Sequence, residues 1–371
     1  TANKQLNLFE ESSPNIQVEP KNKSFESLKT VPHEYKLIDN EEEMRKLCDF
    51  FLTNKILSLD TETTSTNAME AELVGLSFSV APHQAFYVPI PANREQAIKI
   101  VNLFKPAYEN DAILKIGQNI KYDMEVLSRY GIELKGDLFD TMIAHYLLQP
   151  ELHHNMDYMA EVYLRYQTIH IEELIGPRGK GQKNMRNLAP NDIYEYACED
   201  ADITLQLKNI LEPKLKEREV DQLFYEMEMP LVRVLTEMEM NGVRIDTKAL
   251  QEVSESFTKR MNDLEAQIHQ LAGESFNVSS PKQVGDILFE KLQIAEKPKK
   301  TKTGQFVTSE EELQKYATGN EIVTLILDYR GLKKLLGTYV DALPKLINPQ
   351  TGHIHTLSLI HISEPTRRYA I

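Results

Sequence analysis

At 371 residues the chain is long enough for two or three domains, and 41% hydrophobic with 26% charged residues are the proportions of a folded globular protein. A formal net charge of −14 argues against a protein that coats nucleic acid by bulk charge, and it leaves room for an enzyme with local basic surfaces and an acidic metal site. No run of about 18 apolar residues appears, so no membrane span is expected, and the two cysteines, Cys48 and Cys198, lie outside any metal-ligand spacing, which points to a reduced cytoplasmic setting.

The first 32 residues are polar and aperiodic and read as a linker or tail; with no apolar signal core and no initiator Met, the chain reads as starting inside a longer protein. A strand is expected over 35–38, then a helix over 41–51 with Met44, Leu47 and Phe51 inward. The apolar run 56–59 reads as a central strand leading into Asp60-Thr61-Glu62. Residues 73–80 and 85–90 read as a hairpin turning at Ala81-Pro82-His83-Gln84. Three strands in succession, the first ending in acids, suggest the mixed sheet of an α/β nuclease core. Helix follows over 94–108 through Ile98, Val101 and Phe104, and a short buried strand over 112–116 ends in the turn Gly117-Gln118-Asn119. Helices are expected at 124–130, at 138–148 and over 191–216, the last capped by Asn191 or Asp192. Between them, Arg178, Lys180, Lys183 and Arg186 make a basic, Gly-rich loop that suits either phosphate contact or plain solvation; its spacing is not that of a P-loop.

The character changes after Arg218. Three long stripes follow: Leu223, Met227, Leu231, Val234, Met238; then Leu250, Val253, Phe257, Met261, Leu264, Ile268, Leu271; then Leu325, Tyr329, Leu332, Leu336, Tyr339, Leu343. Steps of three and four sustained that far describe helices paired with one another. Between the second and third, residues 297–304 are basic and hydroxyl-rich. They suit either a tip that touches phosphate backbone through Lys299, Lys300 and Lys302 or a disordered hinge.

The acids carry the chemistry. Asp60 and Glu62, two apart on an extended chain, share a face and repel unless a cation lies between them. Hard oxygen ligands favour Mg²⁺ or Mn²⁺, although the same pair could stand at a strand end facing water. Asp123 stands near the start of a helix after a strand. Tyr196 and Asp200, four apart, share a helical face, whereas Asp202 reads as a surface or capping residue. His145, His153 and His154 lack a third partner at ligand spacing and read as structural.

Taken in this order, Asp60 and Glu62, Asp123, and Tyr196 with Asp200 resemble the three motifs of the DEDD 3′–5′ exonucleases, Tyr-containing subgroup. Residues 117–123 and 196–207 resemble the proofreading domain of the family A DNA polymerases, the bacterial DNA polymerase I family. Glu228-Met229-Pro230-Leu231, Asn241-Gly242-Val243-Arg244-Ile245-Asp246, Phe276-Asn277-Val278-Ser279-Ser280-Pro281 and Tyr329-Arg330-Gly331-Leu332 resemble the start of that family's polymerase domain. The likeness covers about 35–356. It implies a ribonuclease H-like α/β exonuclease core over 33–217, an all-α, thumb-like truncated polymerase domain over 218–356, and a non-family tail over 357–371.

The resemblance further implies two divalent ions, Mg²⁺ or Mn²⁺, with Asp60, Glu62 and Asp200 on the first. Asp60 would bridge to the second, which Asp123 reaches through water, and Tyr196 with Glu62 would orient the attacking water. Gln118, Asn119 and Lys121 would position a single-stranded DNA 3′ end, while the lysine tip grips duplex. A bacterial cytoplasmic monomer is expected. No Asp-Tyr-Ser-x-Ile-Glu or His-Asp-Glu segment follows, so polymerase activity is expected to be absent from this fragment. Thr64-Ser65-Thr66-Asn67 is polar where the family often has an apolar wedge, which puts strand separation there in doubt. Two other readings stay open: a catalytically idle DNA clamp, and a ribonuclease D-like enzyme acting on RNA.

Overall fold

The structure, a computed structural model, describes residues 25–177, 179 and 181–357. Most of the expected N-terminal linker and nearly all of the tail lie outside the described residues, as do Arg178 and Lys180 of the basic loop. The chain forms two compact units, one running to Thr236 and the other starting at Glu237.

In the first unit, β1 (Glu34–Leu37), α1 (Glu41–Leu52), β2 (Ile56–Thr63), β3 (Leu73–Ala81) and β4 (Gln84–Pro89) follow one another. Next come α2 (Arg94–Leu103), α3 (Lys105–Tyr108), β5 (Leu114–Gly117), α4 (Ile120–Ser128), β6 (Leu138–Asp140) and α5 (Thr141–Leu148). Short helices α6 (Met156–Met159) and α7 (Ile171–Ile175) precede the long α8 (Pro190–Glu217). The six strands make one mixed sheet in the order β1-β4-β3-β2-β5-β6. β2 is antiparallel to β3 and parallel to β5, so the strand bearing the acids is covered on both edges.

Strand alternation sorts the core into two faces. Leu76, Phe78 and Phe86 face α1 to α3, where the Phe78 ring lies 5.0 Å from Phe51 and 5.1 Å from Phe104. Ala85 and Tyr87 face the other way, onto Ile193, Ala197 and Cys198 of α8, and Val74 joins them because the β2–β3 register shifts beside it. Met44, Leu47 and Phe51 are buried as the spacing of α1 predicts. The hairpin β3–β4 turns at His83, which adopts φ 63°.

Several boundaries differ from the sequence reading, each for a local reason. The helix expected over 94–108 breaks at Phe104, because Pro106 cannot donate within a continuous helix. The helix expected over 138–148 is a strand and then a helix. Leu138 and Phe139 pair with β5, and Asp140 starts α5 by accepting the Met142 N–H at 2.8 Å. A two-residue apolar run carries no period that separates the two. α8 starts at Pro190 with Ala189 as its cap residue, so neither Asn191 nor Asp192 is the N-cap.

After α8, α9 (Asp221–Leu223), a π-helical turn (Phe224–Glu228) and α10 (Met229–Asn241) carry the chain out of the first unit. The stripe read from sequence here is on the wrong face: Met227, Val234 and Met238 are 61%, 51% and 63% exposed. The buried line runs one residue over, through Phe224, Val232 and Leu235. Both faces carry apolar residues, so periodicity cannot choose between them. Arg233 sets the rotation by donating to the carbonyls of Leu134 and Gly136.

The second unit is helical: α11 (Thr247–Ala272), α12 (Pro281–Gly285), α13 (Glu310–Ala317) and α14 (Glu321–Leu335). α11 and α14 pack together around Leu264, Ile268, Val323, Ile326 and Tyr329. Leu271 and Tyr339 of the expected stripes point outward. Residues 299–307 fold back as a small hairpin, in which the Thr301 N–H donates to the Gln305 carbonyl at 2.7 Å and the Val307 N–H to the Lys299 carbonyl at 2.9 Å. They are therefore not a hinge. Lys299, Lys300 and Lys302 are exposed on it, with the Lys300 ammonium 4.3 Å over the Phe306 ring. No helix among the described residues is long and apolar enough to cross a membrane.

Candidate metal centre

Asp60 and Glu62 lie on one face of β2, opposite Ser77 and Gly75 of β3. Gly75 is required there by contact. The Tyr87 ring lies over it so closely that a Cβ would sit 2.1 Å from a ring carbon. Packing of α8 on the sheet delivers Asp200, and one carboxylate oxygen each from Asp60, Glu62 and Asp200 lies within 4.8 Å of the others. Glu62 and Asp200 are only 6% and 8% exposed. Oε1 of Glu62 and Oδ1 of Asp200 have no hydrogen-bond partner. Buried carboxylate oxygens without donors, converging on one point, fit a hard divalent cation.

Asp123 is held beside this group rather than within it. It is 2% exposed in the first turn of α4, and its Oδ1 accepts from the Thr61 hydroxyl at 2.6 Å. Tyr196 is one helical turn before Asp200 on α8, so its phenol lies in the field of that carboxylate.

Burial dominates the electrostatics. It raises Asp60 to about 6, against a partial pull downward from the Thr61 N–H. Glu62 is raised well above the carboxylate range by burial and then by the Asp60 charge. Asp123 and Asp200 move the same way, by burial first and by the Asp60 charge second. The Tyr196 phenol is raised far above its ordinary value by burial, then by Asp200, Glu62 and Asp60.

These raised carboxyls favour the protonated form in the native state, while in the unfolded chain they titrate near about 4. Their contribution to stability is complete below that value and is lost as pH rises through about 6 and beyond. In EDTA the melting temperature should therefore fall between about pH 5 and about pH 8, and millimolar Mg²⁺ should restore it at the upper end. Asp200→Asn should flatten that slope. An unchanged slope in the variant would remove the cluster as its source.

The remaining candidate residues are placed as follows. The Gln118 amide donates to the His154 carbonyl at 2.8 Å and accepts from Thr141. Asn119 adopts a left-handed conformation, φ 61°, at the start of α4. Lys121 is only 7% exposed. Arg186 of the basic loop is turned inward, onto the carbonyls of Ile90 and Leu73, so it is not a solvent-facing cation. Asp202 is neither surface nor helix cap. At 1% exposure it accepts the Tyr35 hydroxyl and the His83 N–H, both at 2.8 Å, and ties β1 and the hairpin to α8. His145 and His154 face each other with their Nδ1 atoms 2.7 Å apart, and burial lowers His145 to about 4.

Three residues of the site surroundings escape sequence reading. Thr61 reads only as the spacer between two acids. Glu199, beside Asp200, is fully buried and accepts the Tyr166 hydroxyl at 2.7 Å and the Ile169 N–H at 2.6 Å. Asp140 did carry a signal, since an Asp before an apolar helical run is a cap signature.

Comparison with known proteins agrees with this geometry. Residues 35–216 match the family described as 3′–5′ exonuclease, and residues 247–366 match DNA polymerase family A. The second match extends beyond the point where the sequence reads as leaving the family. DNA polymerase I of Pseudomonas aeruginosa is 39% identical over 313 residues, which is 81% of this chain and 34% of that protein. DNA polymerase I of Borreliella burgdorferi is 35% identical over 358 residues, 94% of this chain and 38% of that protein. The chain thus spans about a third of the length of these curated relatives. The POL domain of Pol1 from M. smegmatis, solved in complex with DNA primer-template and dNTP, shares the fold. Its TM-score is 0.68 at 23% identity, over 87% of this chain and 52% of that one.

Proposed function

This chain belongs to the DNA polymerase I family (family A), carrying its 3′–5′ exonuclease domain and the start of its polymerase domain, and from that premise we propose that it hydrolyses the 3′-terminal phosphodiester of DNA. The observation that carries the proposal is the convergence of Asp60, Glu62 and Asp200 within 4.8 Å inside the exonuclease match.

Asp60, Glu62 and Asp200 would hold one divalent ion, and Asp60 with Asp123 a second, Mg²⁺ or Mn²⁺. Two ions so bound supply positive charge against the scissile phosphate and lower the pKa of a water. The protein's part is to orient and to exclude. Tyr196 stays protonated at neutral pH, so its hydroxyl donates and can aim a water without deprotonating it. Glu62 Oε1, which lacks a partner, is placed to accept from that water. Thr61 holds the Asp123 carboxylate in one orientation. A single strand is the expected substrate, because a paired terminus would have to be opened before its phosphate reached buried acids. The test is a 5′-labelled single-stranded oligonucleotide with Mg²⁺ or EDTA. Shortening from the 3′ end only with metal supports the reading; no shortening, or digestion of RNA in preference to DNA, overturns it.

The helical unit is proposed to grip duplex through Lys299, Lys300 and Lys302, which are exposed on its hairpin. Phosphate contacts set affinity and salt slope without reading sequence, at close to one unit of slope per contact. Changing the three lysines to Ala should weaken duplex binding and flatten its salt dependence, while hydrolysis of a short single strand stays near wild type. If hydrolysis collapses and duplex affinity holds, this division of labour is wrong.

A further inference from the structure

Helix α4, which bears Asp123, begins without a cap of its own. Asn119 precedes it at φ 61°, ψ 46° and makes no side-chain bond to the first N–H groups. The Tyr122 N–H bonds back to the Asn119 carbonyl at 3.0 Å, whereas the Asn119 and Ile120 N–H groups are satisfied from another element. Asp140, at the end of β6, accepts the Ile120 N–H on Oδ2 at 2.8 Å and the Asn119 N–H on Oδ1 at 3.3 Å. The same carboxylate caps α5, accepting the N–H groups of Met142 at 2.8 Å and Ile143 at 3.2 Å. It is 1% exposed. Its neighbour Thr141 donates to the Gly117 carbonyl at 3.2 Å and to the Gln118 amide oxygen. The β5–α4 turn is therefore held by the β6–α5 turn.

We propose that Asp140 is a positioning residue for Asp123: by joining the starts of α4 and α5, it fixes where the Asp123 carboxylate stands relative to Asp60. The inference rests on the exonuclease reading. Its physical basis is the cost of the junction. Asn is one of the few non-glycine residues that enters the left-handed region readily, so the cost falls on the buried N–H groups of Asn119 and Ile120, which would otherwise lack an acceptor. Asp140 is what offsets that cost. Without its bond to Ile120 the turn can relax, and Asp123, one turn further along, moves with α4. Thr61 orients the carboxylate itself, through its hydroxyl, and does not hold the start of α4.

Asp140→Asn separates the two helices. Asn caps as well as Asp, so its oxygen can keep the α5 contacts, while its amide sets a donor against the Ile120 N–H. Amide hydrogen exchange should quicken about tenfold or more in residues 118–124 and stay unchanged in 141–148. Mn²⁺ affinity, measured by calorimetry, should weaken. The kcat for single-strand digestion should drop about ten- to hundredfold with KM little changed. If Asp140 acts through Asp123, adding Asp140→Asn to Asp123→Ala should lower kcat no further. Wild-type kcat in Asp140→Asn, losses that multiply in the double variant, quickened exchange confined to 141–148, or failure of the variant to fold would each overturn the proposal. If the wild-type protein digests nothing, the exonuclease reading falls, and exchange and Mn²⁺ binding still decide the role of Asp140.

Discussion

Asp200→Ala is expected to lower 3′–5′ digestion by about 10³-fold or more while leaving the fold intact. The loss follows from the geometry. Asp200 is the only one of the three clustered acids that comes from α8, so without it the site opens on one side and the two acids of β2 face each other alone. Stability should move in the opposite direction to activity. Burial and the charges of Asp60 and Glu62 raise the Asp200 carboxyl well above its ordinary value, so at neutral pH without metal it is a source of strain. Its removal in EDTA should raise stability by on the order of 1 kcal/mol. In Mg²⁺ the advantage should shrink, because the wild-type cluster then gains ligand binding energy. Paired measurements of digestion and of melting in EDTA and Mg²⁺ test both halves. Retained digestion in a folded Asp200→Ala would sink the assignment. A variant that is active-site dead but less stable in EDTA would mean the acids do not repel as argued.

Gly75→Ala should be the costliest single methyl in the first unit. Gly75 pairs with Glu62 across β2 and β3, and the added Cβ would lie 2.1 to 2.4 Å from three atoms of the Tyr87 side chain. Tyr87 has no room to yield: it is fully buried against α8, among Ile193, Ala197 and Cys198. Overpacking of this kind costs about 3 kcal/mol, and relief through β3 would displace the partner of Glu62. Denaturant unfolding should show the loss, and digestion should fall with it. In a Tyr87→Ala background the same substitution should cost little, since the clashing ring is gone. Equal costs in both backgrounds would show that the ring is not the obstacle.

What could be read from the sequence was whatever depends on local period and local chemistry. Asp60 and Glu62 share a face because strands alternate, Tyr196 and Asp200 because helices return after four residues, and the burial of Met44, Leu47 and Phe51 follows from the same rule. Where local pattern was ambiguous it failed. Leu138 and Phe139 could be strand or helix, and two apolar stripes ran side by side along α10. The packing of β6 against β5 and the hold of Arg233 on two carbonyls decided those cases. No local period brought Asp200 to acids far from it in sequence: the family resemblance implied that meeting, and the packing of α8 on the sheet produces it. Tertiary structure alone decided that Asp202 two residues on is an internal tie, and that Arg186 serves two carbonyls instead of solvent. It also decided that Asp140 caps two helices at once. The reason is common to all four: a carboxylate or guanidinium finds its partners by the proximity that sheet order and helix packing create, and no sequence period encodes that proximity.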